Sequence, residues 1–384
     1  MVQVVTGPRQ CGKSSLLWHL SHGFSEISLD DSQARRLAQH DPALFLSQHK
    51  LPLIIDEIQY APELFLEIKR VVDLQKRERL KKSARDSRNK VLFRLTGSNQ
   101  ILMDKNVKES LAGRAGYYFL NTFSVSEILH AFPQTSLSKI IFTGGWPELY
   151  VTSQSPVKYL NDYILTYIEK DIVLSAGIIK QDEFQTVLGM LAARTGEWLN
   201  CSTIAQASGV KSVTIRDWVS ILERMNLIYV LPPYESNLNK RLIKSPKVYF
   251  LDTGLACRLQ GWAEENPMFA SPQAGHLFET LVLAEIIKFK NNHAANWNVF
   301  AWRTKDGEEV DFIIEKPNGD VLALEAKLGI HSVSPIVIPK SVQKQFPRLK
   351  KIGIVSYGGD EKPLSHECFQ LPLAKLSEYL KKHF

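Results

Sequence analysis

Residues 7–14 of the chain read Gly7-Pro8-Arg9-Gln10-Cys11-Gly12-Lys13-Ser14, and an apolar run at residues 2–5 precedes them. Strand, glycine-rich turn and helix in this order form the G-x-x-x-x-G-K-[ST] pattern, in which backbone N–H groups surround phosphate oxygens at the positive end of a helix. Lys13 can reach the β and γ phosphates, and the Ser14 hydroxyl can coordinate Mg²⁺. Together with Ser15, this stretch predicts a phosphate site at the start of the chain.

The composition excludes several classes of protein. The chain has 384 residues, 44% of them hydrophobic and 23% charged, which suits roughly two or three globular domains. No run approaches the ~18 apolar residues that span a bilayer, and no charged leader precedes the first strand, so we expect a cytoplasmic protein without a membrane partner. The net charge of +7 fits an anionic partner such as nucleic acid. Neither a disulfide framework nor a structural zinc site is indicated by the scattered cysteines, Cys11, Cys201, Cys257 and Cys368.

Two acids end the next strongly apolar run, at residues 51–57. Asp56 can hold the magnesium through water, and Glu57 can orient or deprotonate the attacking water. The alternative is an edge strand with surface acids. We favour the metal-holding role because a phosphate-loop lysine requires such an acid further along the chain.

The apolar strand at residues 91–99 ends in small polar residues, beside the strand that carries Asp56. Asn99, with Ser98 as second choice, can sense the γ phosphate, and the alternative is a turn cap. Arg114 lies between glycines and can stabilise charge on the γ phosphate of a neighbouring subunit in a homo-oligomer, although such an arginine often pairs with a surface acid. The basic residues 76–90 are either a solvated face or a contact for nucleic acid phosphates.

These motifs together resemble those of the AAA+ superfamily. Residues 7–14 look like the Walker A motif, residues 54–57 like Walker B, and residues 96–99 like sensor 1. With residues 28–31, 113–114 and 144–148, the set is similar to predicted bacterial and archaeal ATPases that carry a C-terminal domain of unknown function. The resemblance implies an α/β P-loop fold with a parallel sheet, ATP and Mg²⁺ as cofactors, and ATPase activity.

The middle of the chain is predicted to be helical. Periodicity at residues 159–196 indicates a lid over the nucleotide, in which Arg194 either reaches the phosphates or simply ends a helix. Residues 202–231 have the helix, turn, helix and strand pattern of a winged helix. Its second helix would present to DNA, near its start, Lys211, Ser212, Thr214 and Arg216, although such a module can also serve packing.

The last third predicts a second constellation of acids, on elements in the order αβββαβ. Glu325 and Lys327 share one face of their strand, because side chains alternate, and Asp311 can lie beside Glu325 on the neighbouring strand. Two such carboxylates can chelate Mg²⁺, with the lysine helping to generate hydroxide and Glu279 offered from the preceding helix. The set resembles the core of PD-(D/E)xK nucleases, the fold of restriction endonucleases, with Val310 where the proline would stand. An exposed strand face is the alternative.

We therefore expect an α/β chain of three domains: an AAA+-like ATP-binding domain at residues 1–135, a helical and winged-helix region at 136–235, and a restriction-endonuclease-like domain at 236–384. One hypothesis is an ATPase that couples nucleotide state to DNA binding or to nuclease action. The alternative is a nucleotide-dependent switch that binds protein partners, in which the nuclease-like domain is an inert docking module.

Overall fold

The computed structural model describes residues 1–81, 90–97, 111–235, 245–304, 306–329 and 334–383. The chain divides into two compact units, an N-terminal unit of Met1–Asn121 and a C-terminal unit of Thr122–Phe384. The sequence-based division into three domains at residues 135 and 235 stays a prediction.

The N-terminal unit is built on a parallel sheet of five strands in the order β2-β3-β4-β1-β5. The strands are β1 Val2–Thr6, β2 Ser25–Ser28, β3 Leu53–Asp56, β4 Phe93–Gly97 and β5 Ala115–Phe119. Because β4 pairs with both β1 and β3, the carboxyl ends of these three strands lie side by side. The expected parallel α/β architecture is confirmed.

Helices cover this sheet and bury its apolar side chains. They are α1 Lys13–Leu20, α2 Ser32–His40, α3 Pro42–Ser47 and α4 Leu64–Lys81, with a 3₁₀ turn at Ile58–Tyr60. Phe45, Phe65 and Phe93 are fully buried in one core with the strands. Local sequence sets the helix starts: Asp31 accepts hydrogen bonds from the first turn of α2, and Asp41 caps α3, which begins with proline.

The C-terminal unit begins with helices. They are α5 Val125–Ala131, α6 Leu137–Thr143, α7 Glu148–Val151, α8 Pro156–Tyr163, α9 Val173–Ala176 and α10 Gln181–Ala193, with a π-helical stretch at Ile164–Ile172. Gly144 and Gly145 follow α6 and approach the buried Asp252 closely. Asp252 also caps α13, Thr253–Leu259, by accepting a hydrogen bond from the Leu255 amide, a role that aspartate favours at helix starts.

Two helices and a small antiparallel sheet follow. The helices are α11 Cys201–Ser208 and α12 Ser212–Arg224, joined through the left-handed Gly209. The sheet has the order β6-β8-β7, with β6 Glu197–Trp198, β7 Ile228–Leu231 and β8 Lys247–Phe250. The predicted helix, turn, helix and strand are therefore present in the predicted order.

A larger sheet of six strands closes the unit, in the order β13-β14-β12-β11-β10-β9. Its strands are β9 Asn298–Arg303, β10 Glu309–Glu315, β11 Val321–Lys327, β12 Ile352–Ser356, β13 Lys362–Pro363 and β14 Cys368–Pro372. The associated helices are α14 Glu265–Phe269, α15 Gln273–Asn292, α16 Lys340–Gln345 and α17 Leu376–His383, with a 3₁₀ turn at Leu373–Lys375. The element order αβββαβ, from α15 to β12, is as the sequence predicts.

Candidate functional site

The loop between β1 and α1 follows a path that its glycines make possible. Gly7 has a φ of 150°, and a Cβ there would lie 2.1 Å from the Leu120 carbonyl oxygen. Gly12, at the start of α1, has a φ of 94°, in the region that side chains rarely adopt. The motif spacing therefore reflects backbone sterics as well as phosphate chemistry.

Lys13 lies inside this loop. Its side chain is buried, and its ammonium donates hydrogen bonds to the carbonyl oxygens of Gly7, at 3.2 Å, and Pro8, at 2.8 Å. Cys11 is buried in the same turn, and burial raises the pKa of its thiol, although the Lys13 charge opposes the rise. Of the other predicted phosphate-binding residues, Arg9, Gln10, Ser14 and Ser15 are exposed. The loop thus holds a positive charge at its centre.

The Ser14 hydroxyl lies within 3.0 Å of both carboxylate oxygens of Asp56 and donates to them. A hydroxyl and a carboxylate are the oxygen donors that Mg²⁺ prefers beside nucleotide phosphates. The two side chains come from the start of α1 and the end of β3, and they fit the metal that a phosphate loop requires.

Thr96, near the end of β4, joins this group; it lies in the sensor 1-like residues 96–99, of which the sequence favoured Asn99 and not Thr96. It is fully buried, its hydroxyl donates to Asp56, and it accepts a hydrogen bond of 3.2 Å from the Glu57 amide. Glu57 has a φ of 54°, an unfavourable backbone conformation of the kind that occurs at functional sites. The sequence feature that could have indicated Thr96 as a site residue is a threonine at the end of a buried strand.

The predicted sensors differ in their outcome. Asn99 and Ser98 lie outside the described residues. Arg114 forms a bidentate ion pair with Asp73 of α4, at 2.7 and 2.9 Å, and this hydrogen bonding lowers the pKa of Asp73. Arg194 ends α10 and donates to the Met190 carbonyl within the same helix. The role of Arg114 toward a neighbouring subunit stays a prediction.

The predicted acids of the C-terminal unit lie close together. Asp311 and Glu325 lie on adjacent strands, the Ala326 amide donates to Asp311 at 2.9 Å, and Lys327 lies 2.9 Å from a Glu325 oxygen. The pairing of β10 with β9 is irregular between Val310 and Ile313, a feature that redirects the side chains near Asp311. Burial and the Asp311 charge raise the pKa of Glu325.

A lysine that the sequence pattern did not single out lies among these acids. Lys247, at the start of β8, lies 3.0 Å from Glu279, 3.0 Å from Glu309 and 3.6 Å from Asp311, measured from its ammonium nitrogen to the carboxylate oxygens. We call the four acids Glu279, Glu309, Asp311 and Glu325 the acidic cluster. Within the described residues, no three His, Cys, Asp or Glu side chains are grouped so as to hold a metal ion.

Tyr249, two residues along β8, donates a hydrogen bond of 2.5 Å to Glu279. Burial and the charge of Asp311 raise the pKa of Glu279, against the opposing effect of Lys247. Neither Lys247 nor Tyr249 belongs to the αβββαβ elements, and no local motif marks them.

Known families match the chain in three segments. Residues 1–129 match the model described as an AAA domain, and residues 134–266 and 274–376 match two domains of unknown function, DUF8612 and DUF4143. The first third of the chain is thus similar to an AAA domain. The DUF4143 segment contains the acidic cluster.

Relatives of the whole chain extend across bacteria and archaea. An uncharacterised protein of Mycobacterium tuberculosis is 28% identical over 377 residues, covering 97% of this chain and 80% of the relative. An uncharacterised protein of Methanocaldococcus jannaschii is 23% identical, covering 95% and 82%. The ORC2 protein of Aeropyrum pernix, solved with ADPNP and ADP, aligns with a TM-score of 0.28 at 14% identity, over 60% of this chain and 81% of that one. That score supports no inference. Among the described helices, none has the length and apolar character to cross a membrane.

Proposed function

We propose that the chain is a Mg²⁺-dependent ATPase whose nucleotide state controls a nuclease-like C-terminal unit. The observation that carries the proposal is the contact of Ser14 with both oxygens of Asp56, beside the buried Lys13 of the phosphate loop. Bound Mg²⁺ would neutralise the charge that develops on the phosphate oxygens. Lys13 would bind the β and γ phosphates, Ser14 and Asp56 would hold the metal, and Glu57 would position the water and accept its proton.

Nucleotide binding and hydrolysis are tested separately with two variants of the whole chain. Lys13→Ala should lose ATP binding, whereas Glu57→Gln should keep binding and lose about 10²-fold or more in kcat. Lys50→Ala, which removes an exposed lysine from the same unit, is the matched control. Hydrolysis by Lys13→Ala at the wild-type rate would contradict the proposal, as would the absence of ATP binding by the wild-type chain.

The proposed contact with DNA is made by a winged helix that consists of α11, α12 and the β6-β8-β7 sheet. Two successive helices followed by antiparallel strands support this assignment, and Lys211 and Arg216 are exposed near the start of α12. Replacing both by alanine should reduce the salt dependence of DNA affinity by about two phosphate contacts. Lys180→Ala, a lysine paired with Glu183, is the control, and unchanged affinity of the double variant would exclude this surface.

A second candidate function is a nucleotide-dependent switch for protein partners, with the nuclease-like fold as a catalytically inert module. The presence of Lys247 among the carboxylates favours it, because an ammonium already balances their charge. A cleavage assay with Mg²⁺ or Mn²⁺, run with and without ATP, separates the two. Scission that disappears in Asp311→Ala supports nuclease action, whereas no scission by wild-type protein supports the inert module.

A further inference from the structure

The ammonium of Lys247 lies where the carboxylates of the acidic cluster converge. It contacts oxygens of Glu279, Glu309 and Asp311, which come from α15 and β10, while the lysine itself comes from β8 of the smaller sheet. A cation from outside the six-stranded sheet thus lies among carboxylates of β10 and α15.

The surroundings hold this lysine firmly. Its side chain is 5% exposed, and those of Glu279 and Asp311 are 13% and 12% exposed. The Trp198 indole donates a hydrogen bond to Glu309 at 2.9 Å, and its ring lies 5.8 Å from the ammonium. Burial lowers the pKa of Lys247, but Glu279, Asp311 and Glu309 outweigh this effect and raise the pKa above its usual value. Lys247 therefore stays charged in this position.

The arrangement does not suit a divalent metal. Mg²⁺ takes oxygen ligands at about 2.1 Å, and the Lys247 ammonium competes with such a metal for the oxygens of three carboxylates. The two cations would also repel each other in a largely buried site. No trio of candidate metal ligands is assembled in the part of the chain that the structure describes.

We propose that Lys247 is a built-in cation that occupies the metal position of the acidic cluster and keeps this unit free of divalent metal. Removal of the ammonium leaves the negative charges of Glu279, Glu309 and Asp311 unbalanced, and this excess charge then attracts a divalent cation. The inference rests on the nuclease-like assignment and supports the inert-module candidate, but it does not depend on ATP hydrolysis.

The test measures Mn²⁺ binding by electron paramagnetic resonance, using the 384-residue chain without nucleotide and with Lys13→Ala to remove the lysine of the phosphate loop. In this background, Lys247→Met should bind one Mn²⁺ that the parent binds at least about tenfold more weakly or not at all. Adding Asp311→Asn should abolish the gain. The matched control is Lys288→Met, since Lys288 is also buried but contacts one carboxylate, Glu285, at 3.2 Å. It should gain no site.

Two results would overturn the proposal. One is no gain in Mn²⁺ affinity in Lys247→Met, and the other is a parent chain that already binds Mn²⁺ through Asp311. The second comparison, parent against Asp311→Asn, needs no Lys247 variant and so remains decisive if Lys247→Met fails to fold. Lys247→Gln then replaces it, because glutamine keeps hydrogen-bonding capacity without charge.

Discussion

At the scale of single residues, the proposed nucleotide site contains side chains that hydrogen-bond to one another. Asp56 is contacted by the hydroxyls of Ser14 and Thr96, which come from different elements. Thr96 also accepts a hydrogen bond from the Glu57 amide, so one buried hydroxyl links the two acids. Removing a group that orients a metal ligand in this way typically lowers activity or metal affinity about 10–100-fold.

Thr96→Val should therefore lower kcat for ATP hydrolysis about 10–100-fold while ATP still binds. Valine is close in shape but cannot hydrogen-bond to Asp56. Steady-state hydrolysis and fluorescent nucleotide binding measure the two quantities. Thr143→Val, at a buried threonine of the C-terminal unit, is the control, and equal losses in the two variants would point to a general packing defect.

Arg114 is paired with Asp73 on the same unit. The sequence left open such a pair with an acid and a role at a neighbour's γ phosphate, and the second role stays a prediction. If it acts between subunits, Arg114→Ala should hydrolyse ATP slowly, and mixing it with Lys13→Ala should restore part of the activity. In such mixed assemblies, an intact phosphate loop can meet an intact arginine. Asp73→Ala should release Arg114 from its ion pair, and this variant should hydrolyse ATP at the wild-type rate or faster. No recovery on mixing would argue for action within one subunit.

At the scale of elements, the turn after α6 is built around Asp252. A Cβ on Gly144 would lie 2.1 Å from the Asp252 carboxylate, and the Gly145 amide donates to the same carboxylate at 2.8 Å. Gly144 has a φ of 78° and a ψ of −162°, a region almost restricted to glycine. The turn therefore joins α6 to the start of α13.

Gly144→Ala should lower the free energy of unfolding of the chain by about 3 kcal/mol or more, since it combines backbone strain with a steric clash. Gly209→Ala is the matched control. Its φ is 72°, but no atom lies within 4 Å of the added Cβ, so the cost should be about 1–2 kcal/mol. Denaturant unfolding measures both. Equal losses would mean that the Asp252 contact contributes nothing.

Helix α15 carries a buried pair, Glu285 and Lys288, that ties it to the start of α5. Glu285 accepts from the Val125 amide at 3.0 Å, and Lys288 donates to the Phe123 carbonyl at 2.6 Å. Burial raises the pKa of Glu285 above its usual value, against the opposing effects of Lys288 and the Val125 amide, while Glu127 adds to the rise.

The pKa of Glu285 is thus higher in the folded than in the unfolded chain. Its contribution to stability is fully present below the unfolded pKa of about 4.3, and it is lost as the pH rises through the folded pKa. The wild-type free energy of unfolding, minus that of Glu285→Gln, should therefore fall as the pH rises above this value. Urea unfolding at a series of pH values measures the difference, and a rise with pH would contradict the assignment.

At the scale of the whole molecule, the proposed function couples the AAA-like N-terminal unit to the C-terminal unit that contains the acidic cluster. If nucleotide state controls the second unit, ATP should change hydrogen exchange in residues 122–384 of Glu57→Gln, which binds but does not hydrolyse. Lys13→Ala should show no such change. Exchange that responds to ATP within residues 1–121 alone would mean that the two units work independently.

Much of this architecture follows from the sequence because the signals are local. Short-range patterns indicate the phosphate loop, the acids Asp56 and Glu57, and the elements of the order αβββαβ. In each of them, backbone preference and side-chain alternation act over a few positions. The sequence also predicts Asp311 beside Glu325, since neighbouring strands joined by a short turn bring such residues together.

Only the tertiary structure decided the contacts between segments that are distant in the sequence. Lys247 reaches Glu309 and Asp311 from another sheet, Thr96 reaches Asp56 across 40 positions, and the Gly145 amide reaches Asp252 across 107. Such contacts depend on how packed elements cross, which no local pattern records. By itself, the sequence therefore determined that the last domain carries a set of acids. The fold determined that a lysine from β8 balances their charge.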